Sequence, residues 1–174
     1  MRSTTERLLL GTATVLMGLI AGFFYAYACS VMVGLARVDD STFVTTMQWI
    51  NATVRNAAFA PSFFGALAVT GVAALVAYRH RSAGRAWILA AFALYAAAFA
   101  ITMGINVPLN EQLAAAGPAA GIADVAAVRD AYEGTWVAWN IARAALSTAA
   151  LAALVCAIFR VTIRLSEPAR TASR

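Results

Sequence analysis

Three residues near the end of this 174-residue chain have types and a spacing that could build a binding site. Trp136, Asn140 and Arg143 are separated by four and then three positions, so a helix would place them on one face. They lie in a long apolar run, where a charged side chain is costly without a partner or a wet cavity. Arg143 therefore either extends to the outer membrane interface or lines an internal polar pocket, and the neighbouring Asn140 favours the pocket.

Two further amides flank a proline at the end of another apolar run. Asn106 and Asn110 stand on either side of Pro108, which removes a backbone donor and disturbs a helix. The amides either repair the interrupted helix or point inward as donors and acceptors, and these two roles are compatible. Both amides are therefore candidate site residues.

A third polar set lies between the first two apolar runs. Gln48, Asn51 and Arg55 share one face of an amphipathic helix that the sequence predicts over residues 43–59. A side chain among residues 39–41 (Asp, Asp, Ser) would cap this helix. The helix is either a solvated connection, which the amphipathic pattern alone favours, or a cover over the mouth of a bundle.

Aromatic residues stand at a similar predicted depth. Tyr25 and Tyr27 lie in the first apolar run, and Trp49, Trp136 and Trp139 lie near the outer ends of theirs. Such residues usually form an interfacial belt. With the amides and the buried arginine they also predict a pocket with aromatic walls, open toward the outer leaflet. Such a pocket suits a flat apolar molecule that carries a carbonyl or phenolate oxygen.

The composition identifies the elements that must position these residues. Hydrophobic residues make up 62% of the chain and charged residues 12%, with a mean hydropathy of +0.75. A water-soluble domain of this size cannot bury so much apolar surface, and a disordered chain or disulfide scaffold has a different composition. The thirteen basic residues are all arginines, clustered beside apolar runs, which is typical of membrane orientation signals and argues against a nucleic-acid partner.

Four apolar runs are long enough to cross a bilayer, at about residues 8–35, 60–78, 86–107 and 136–159. The sequence therefore predicts an all-α fold: a single membrane domain over residues 1–174, built as a four-helix bundle with an extra amphipathic helix between spans 1 and 2. We expect the third span to end at Pro108. Residues 111–133 are predicted as an outer loop with a short helix from about Asp124, and residues 160–174 as a cytoplasmic tail.

The arginines also predict the orientation of a multi-pass protein of the cell membrane. The N-terminus, the second loop and the tail hold nine of them, whereas the first and third loops hold Arg37, Arg55 and Arg129 and six of the eight acids. The positive-inside rule then places both termini in the cytoplasm. The alternative of a cleaved signal peptide before Cys29 is disfavoured because the apolar run is too long.

Further patterns bear on packing and on cofactors. Small residues recur at every fourth position from Gly18 to Gly34, which favours close helix packing within the bundle over a seam between chains. Cys29 and Cys156 lie at different predicted depths, so both are expected to be free thiols. His80 is the only histidine. No metal or haem site and no cofactor is predicted.

Four segments carry a resemblance to a known family: AGFFYAYACSVM, MQWINATVRNAAF, ITMGINVPLNEQL and WVAWNIARA. In this order they resemble the anthrone oxygenase family of small four-helix integral membrane proteins, formerly a domain of unknown function. The resemblance runs from about Gly18 to Ser147, and its most specific parts are NVPLN and WVAWNIAR. The positions that match the family are Gln48, Asn51, Asn106, Pro108, Asn110, Trp136, Trp139, Asn140 and Arg143.

The resemblance implies a cofactor-independent oxidation of an anthrone-like aromatic substrate by O₂. In that reading Arg143, with Asn140 and Asn106, stabilises a phenolate-like oxyanion. The expected substrate contacts are Tyr25, Gln48, Asn51, Arg55, Asn110, Trp136 and Trp139. The base stays open among Tyr25, Tyr27, Asp39, Asp40 and water.

Two other functions use the same fold. One is a non-catalytic binding protein for a quinone, a lipid or another flat apolar ligand. The other is an accessory subunit of a larger membrane complex or homo-oligomer, in which the small-residue stripe would be a seam between chains. A transporter is disfavoured because no carboxylate is predicted within the spans.

Overall fold

The computed structural model is all-helical, which confirms the predicted fold class. It describes residues 2–166 of the chain, with side chains described for residues 4–162. Four helices are long and apolar enough to cross a membrane, and a shorter helix lies between the first two. These candidate spans are Thr4–Leu35, Phe59–Arg79, Arg85–Ala115 and Val125–Thr162.

The first span contains a π turn near its C-terminal end. Helix α1 (Arg2–Ala26) continues into a π turn at Tyr27–Val31 and then into α2 (Met32–Leu35). The π turn inserts one extra residue per turn, which rotates the side chains that follow it relative to the core-facing stripe of α1. Buried residues at helical spacing, such as Met17 and Phe24, pack α1 against α4 and α7.

The predicted outer helix is present and is shorter than expected. Helix α3 spans Asp40–Thr53, because Asp39 caps it: the Asp39 carboxylate accepts hydrogen bonds from the Thr42 backbone N–H at 3.0 Å and the Thr42 hydroxyl at 2.6 Å. Those bonds, the hydroxyl first, hold the pKa of Asp39 below its usual value. The face that contains Phe43 and Met47 is buried, so α3 covers the bundle and is not a solvated connection.

Helices α4 (Phe59–Arg79) and α5 (Arg85–Ile101) form an antiparallel pair joined by a short turn. Asn56 starts α4, since its side-chain oxygen accepts from the backbone N–H groups of Ala58 and Phe59. Alanines at the helix contacts are fully or almost fully buried and allow close approach of the backbones.

The third span does not end at Pro108, which corrects the prediction. A π turn at Thr102–Asn106 follows α5, and α6 (Val107–Ala115) carries the helix onward. Pro108 occupies the first turn of α6, where a missing backbone N–H is tolerated, and the preceding π turn supplies the local irregularity. The side chains of residues 109–115 therefore belong to the helical bundle and not to a loop.

The outer loop predicted at residues 111–133 is also too long. Helix α7 spans Val125–Ser166, so the helix expected near Asp124 is present but continuous with the fourth span. Asp124 accepts a hydrogen bond from the Ala127 N–H at 3.0 Å. Between α6 and α7 a short 3-10 turn, Ala119–Gly121, remains. Part of the predicted tail is helical through Ser166, and the rest, with Arg170 and Arg174, lies outside the described residues.

The buried apolar residues form two clusters, one in the bundle and one at the end that carries α3, named the outer cluster after the predicted orientation. The outer cluster joins α2, α3, α6, the 3-10 turn and the start of α7, with Phe43, Met47 and Trp136 among its members. The predicted small-residue seam is not packed inside the bundle: Gly22 and Gly34 have open space beyond their Cα atoms, and Gly18 alone approaches a neighbour, Leu151. The stripe faces outward, and the buried face of α1 instead carries residues such as Leu10, Met17 and Phe24.

Candidate functional site

A cavity of about 520 Å³ lies beside α3, at the end of the bundle that α3 covers. Its wall is contributed by α1 and the first π turn, the end of α3, the start of α4, the second π turn with α6, and α7. The polar and charged side chains that line it are Asn51, Arg55, Asn56, Thr102, Asn110, Glu111 and Arg143.

Arg143 faces this cavity from inside the bundle, and its side chain does not extend to the protein surface. Its side chain is 5% exposed. The Nε and Nη2 groups donate to Oδ1 of Asn140 at 3.1 and 3.0 Å, and Nη1 donates to Oγ1 of Thr102 at 3.3 Å. Within residues 4–162 no carboxylate lies within ion-pair distance of it. A buried cation is therefore held by neutral partners alone.

Two aromatic rings flank the Arg143 guanidinium. Its Cζ atom lies 4.3 Å from the ring centroid of Phe24 and 5.2 Å from that of Trp136. The negative face of an aromatic ring attracts a cation most strongly where water is excluded. These contacts stabilise the charge without neutralising it.

Asn140 orients the arginine. It is fully buried, and its Nδ2 donates to the backbone oxygen of Phe24 at 3.2 Å. That bond fixes which end of the amide points at the guanidinium, so the oxygen of Asn140 faces Arg143.

The second π turn supplies two more buried polar groups. Thr102 donates to the Ala98 carbonyl at 2.9 Å while accepting from Arg143. Asn106 is fully buried and donates to the backbone oxygen of Trp136 at 3.2 Å, so its amide joins the third span to the fourth and does not repair its own helix. Among the described residues its side-chain oxygen has no hydrogen-bond partner.

A hydrogen-bonded network connects three helices at the outer wall of the cavity. The side-chain oxygen of Asn110 accepts from Nε1 of Trp136 at 2.8 Å and from the hydroxyl of Tyr132 at 2.9 Å. Asn51 donates to the Tyr132 hydroxyl at 3.3 Å. The network fixes the plane of the Trp136 ring, which lies against Arg143.

One mouth of the cavity carries an ion pair. Arg55 Nη2 and Glu111 Oε1 are 3.7 Å apart, and both side chains are more than half exposed. Such a pair contributes little stability. Glu111 nevertheless brings a carboxylate to the cavity wall.

The remaining wall is aromatic. Phe59 stacks on Phe63 with ring centroids 5.3 Å apart, and Phe63 stacks on Phe99 at 4.8 Å. Phe23 lies 4.9 Å from Tyr27, whose ring is 5.9 Å from Trp136. The rings of Phe23, Tyr27, Phe59 and Phe63 thus give the cavity an aromatic wall, which suits a flat ligand.

The structure brings six of the predicted site residues together: Arg143, Asn140, Trp136, Asn110, Asn51 and Arg55. Asn106 lies behind the wall, bonded to the Trp136 backbone. The cavity lining does not include three others. Tyr25 is 60% exposed on the outside of α1, and Trp139 is 38% exposed. Gln48 instead donates to the backbone oxygens of Leu113 and Gly117, both at 2.9 Å, which ties α3 to the end of α6.

The acids considered as bases lie at the far end of α3. Asp39 caps that helix, and Asp40 forms an ion pair with Arg129 at 2.9 Å. Arg129 also pairs with Glu133 at 2.6 Å and lies over the ring of Phe43. These contacts stabilise the outer cluster and leave Asp39 and Asp40 away from the cavity.

Sequence reasoning missed several residues of the site. Thr102 stands four positions before Asn106, a spacing that places both on one helix face, but threonine alone in a span gave no signal. Tyr132 and Glu111 were assigned to a loop. Phe24 was read as part of an apolar run.

No metal centre is indicated within the part of the chain that the structure describes. No group of three or more His, Cys, Asp or Glu side chains lies together there. Cys29 and Cys156 are both free, as predicted.

The fold and the site together define a small polytopic membrane protein with an aromatic cavity around a buried arginine. The family model for anthrone oxygenase matches residues 49–153, which is more than half of the chain. The chain therefore belongs to the anthrone oxygenase family. No curated protein and no solved structure gives a match.

Proposed function

We propose that the protein oxidises a flat, anthrone-like substrate with O₂ inside this cavity, without a cofactor. The observation that carries the proposal is the buried cation of Arg143, which lines the cavity and has only neutral hydrogen-bond partners among the described residues. A buried charge without a counter-ion is costly unless a ligand supplies the opposite charge. An enolate or phenolate oxygen supplies it.

The reaction proceeds from the acidity of the substrate. A base removes a proton from the methylene carbon of the anthrone, and the electron pair moves onto the carbonyl oxygen, which becomes a phenolate-like oxyanion. O₂ takes up those electrons and bonds to the carbon, giving a peroxide that is then protonated. Loss of the second C–H proton breaks the O–O bond and releases water. Anthrone and O₂ thus give anthraquinone and water, and no further reductant is needed.

Arg143 stabilises the oxyanion in this scheme. Three of the five N–H groups of a guanidinium are engaged by Asn140 and Thr102, which leaves two for a ligand oxygen. Charge-assisted hydrogen bonds in a dry site favour the ionised form more than the neutral ketone. The barrier to proton removal falls by that difference.

Glu111 is the proton acceptor that we propose. Of the groups considered from sequence, Tyr27 alone lines the cavity, and a phenol must lose its own proton before it can act. A carboxylate accepts directly. Glu111 lines the cavity and is exposed to water at its mouth, so a proton that it accepts passes to solvent.

The experiment uses the full chain in lipid nanodiscs, with anthrone as substrate and an oxygen electrode as detector. We expect anthrone-dependent O₂ uptake, reduced at least about 100-fold in Arg143→Gln and less in Arg143→Lys. Arg37→Gln, an exposed arginine outside the cavity, is the matched control. Normal uptake by folded Arg143→Gln protein would refute the role of Arg143.

A second candidate function is ligand binding without turnover, which the aromatic cavity wall by itself favours. It would give saturable, Arg143-dependent binding of anthraquinone in the nanodiscs with no O₂ uptake from anthrone. Measuring both ligand binding and O₂ uptake on the same nanodisc preparation therefore distinguishes the two functions.

We further propose that the chain is a single membrane domain with both termini in the cytoplasm and the cavity near the outer leaflet. Support comes from the arginines of the turn between α4 and α5 and of the N-terminus, set against the acids beside α3 and α6. A periplasm-active reporter fused to the C-terminus should be inactive. Activity of that fusion would reverse the orientation.

A further inference from the structure

The cavity has a second opening, on the side of the bundle between α4 and the second π turn. Phe64 on α4 and Met103 in the π turn both line the cavity, yet they are 54% and 45% exposed. Residues that line a cavity and also face outward mark its rim. The rim here is formed by large apolar side chains, in contrast to the ion pair at the other mouth.

The helix packing explains why a gap occurs there. Helix α4 packs along α1 and along α5, but no comparable packing joins α4 to the second π turn or to α6 within the described residues. The close packing of the third span against α4 is confined to α5, which ends where that π turn begins. Phe64 and Phe99 meet edge to face 5.9 Å apart at the inner limit of the gap.

The opening lies at the depth of the hydrocarbon. Helix α4 has 21 residues, which corresponds to about 31 Å and matches the roughly 30 Å core of a bilayer. Phe64 lies five residues inside its outer end, or about 7 Å below the boundary. An apolar rim at that depth faces acyl chains and not water.

We infer that the cavity takes its ligand directly from the bilayer through this lateral opening, and that the ligand is a flat apolar molecule with one carbonyl or phenolate oxygen. The ring system enters between Phe64 and Met103, and the oxygen reaches Arg143 at the buried end. The ion pair of Arg55 and Glu111 faces water on the other side. The inference concerns ligand entry and holds for binding without turnover as well as for oxidation.

The probe is a phospholipid with anthraquinone attached to its acyl chain, reconstituted with the full chain in phosphatidylcholine vesicles. Its headgroup keeps it in the membrane, so it reaches the cavity only from the side. Irradiated anthraquinone abstracts hydrogen and forms cross-links, which mass spectrometry locates. We expect cross-links to residues inside the cavity, and free anthraquinone should compete for them.

Variants of the rim test the path. Phe64→Trp and Met103→Trp enlarge the rim side chains and should slow cross-linking inside the cavity at least about fivefold, whereas Phe64→Ala should accelerate it. Val72→Trp is the control, since Val72 is 50% exposed on the same helix and does not line the cavity.

Three results would overturn the inference: cross-links confined to the outer surface, no competition by free anthraquinone, or equal rates in all rim variants. If the wild-type protein cross-links inside the cavity but shows no anthrone-dependent O₂ uptake, only the proposed oxidation is refuted. The two proposals therefore fail separately.

Discussion

The side-chain oxygen of Asn140 accepts hydrogen bonds from both Nε and Nη2 of Arg143, at 3.1 and 3.0 Å. An amide thus occupies the position where a carboxylate would form a fork-shaped ion pair with the guanidinium. A single amide oxygen accepts both bonds, so the guanidinium is held through two of its nitrogens while its positive charge is not cancelled. Asn140 therefore holds Arg143 in place while leaving its charge available to a ligand.

Asn140→Asp should convert this arrangement into a true ion pair. We expect a melting temperature within a few degrees of the wild type, because the counter-ion gained by the buried cation offsets the lost hydrogen bond to the Phe24 carbonyl. Ligand affinity and O₂ uptake should both fall at least about 100-fold, since the new carboxylate competes with the substrate oxyanion. Thermal unfolding, anthraquinone binding and O₂ uptake in nanodiscs measure the three quantities. Undiminished ligand binding would show that the free charge of Arg143 is not used.

Glu111→Gln should separate proton removal from binding. The amide keeps the size of the side chain but accepts no proton, so kcat for anthrone should fall by about 10² to 10⁴ while anthraquinone affinity stays within a few-fold of the wild type. Stopped-flow binding and steady-state O₂ uptake give the two values.

Two variants control the Glu111 test. Asp130→Asn removes another exposed acid and should change neither value. Arg55→Gln removes the partner of Glu111 and shows whether their ion pair limits the rate. An unchanged kcat in Glu111→Gln would assign the base to another group.

The residues that the sequence could select were those whose chemistry conflicts with their surroundings. Arg143 and Asn140 stand out in an apolar run because polar groups are costly there, and both are buried beside the cavity. The same reasoning identified the span that contains each of them. Tyr25 is predicted from depth alone, and Trp139 from depth and the family resemblance, and neither criterion fixes which way a side chain points.

The remaining errors have a common physical origin in helix irregularities. A π turn changes which helix face the residues after it lie on. The sequence pattern did not predict the π turns at Tyr27–Val31 and Thr102–Asn106. Pro108 was expected to end a helix, although a proline in the first turn of a new helical segment is tolerated. Because the helix was predicted to end there, Glu111 was predicted to lie in a loop and not to line the cavity.

Arg129→Gln should weaken the outer cluster without touching the cavity. Arg129 donates to Asp40, to Glu133 and to the backbone oxygen of Val38, and its side chain is only 12% exposed. Its loss leaves these partly buried acceptors without their hydrogen-bond donor, which lowers the free energy of unfolding by on the order of 2 kcal/mol. Proteolysis of the segment between α6 and α7 and thermal unfolding report the change, with Arg37→Gln as the control. Equal stability of the two variants would contradict the prediction.

The cap of α3 should fail at acid pH. Thr42 lowers the pKa of Asp39, so the ionised carboxylate stabilises the folded state fully at a pH above the ordinary pKa of aspartate. That contribution is lost as the pH falls through the lowered pKa. Hydrogen exchange at residues 42–47, corrected for intrinsic rates, should accelerate on acidification. Asp39→Asn caps without titrating, so its protection should not show this loss. The same acid dependence in Asp39→Asn would assign the effect to another group.

Gly84→Ala should destabilise the contact between the start of α5 and α7. A Cβ atom at Gly84 would lie 3.0 Å from the backbone oxygen of Ala157 and 3.3 Å from its Cα, and backbone atoms cannot rotate away. The helices must separate, at a cost of about 1–3 kcal/mol. Gly22→Ala meets nothing within 4 Å and is the matched control. Thermal unfolding should show a lower midpoint for Gly84→Ala alone. Ala157→Gly removes the neighbouring methyl group but keeps the carbonyl, so it should rescue Gly84→Ala at most in part, and full rescue would place the clash at the side chain instead.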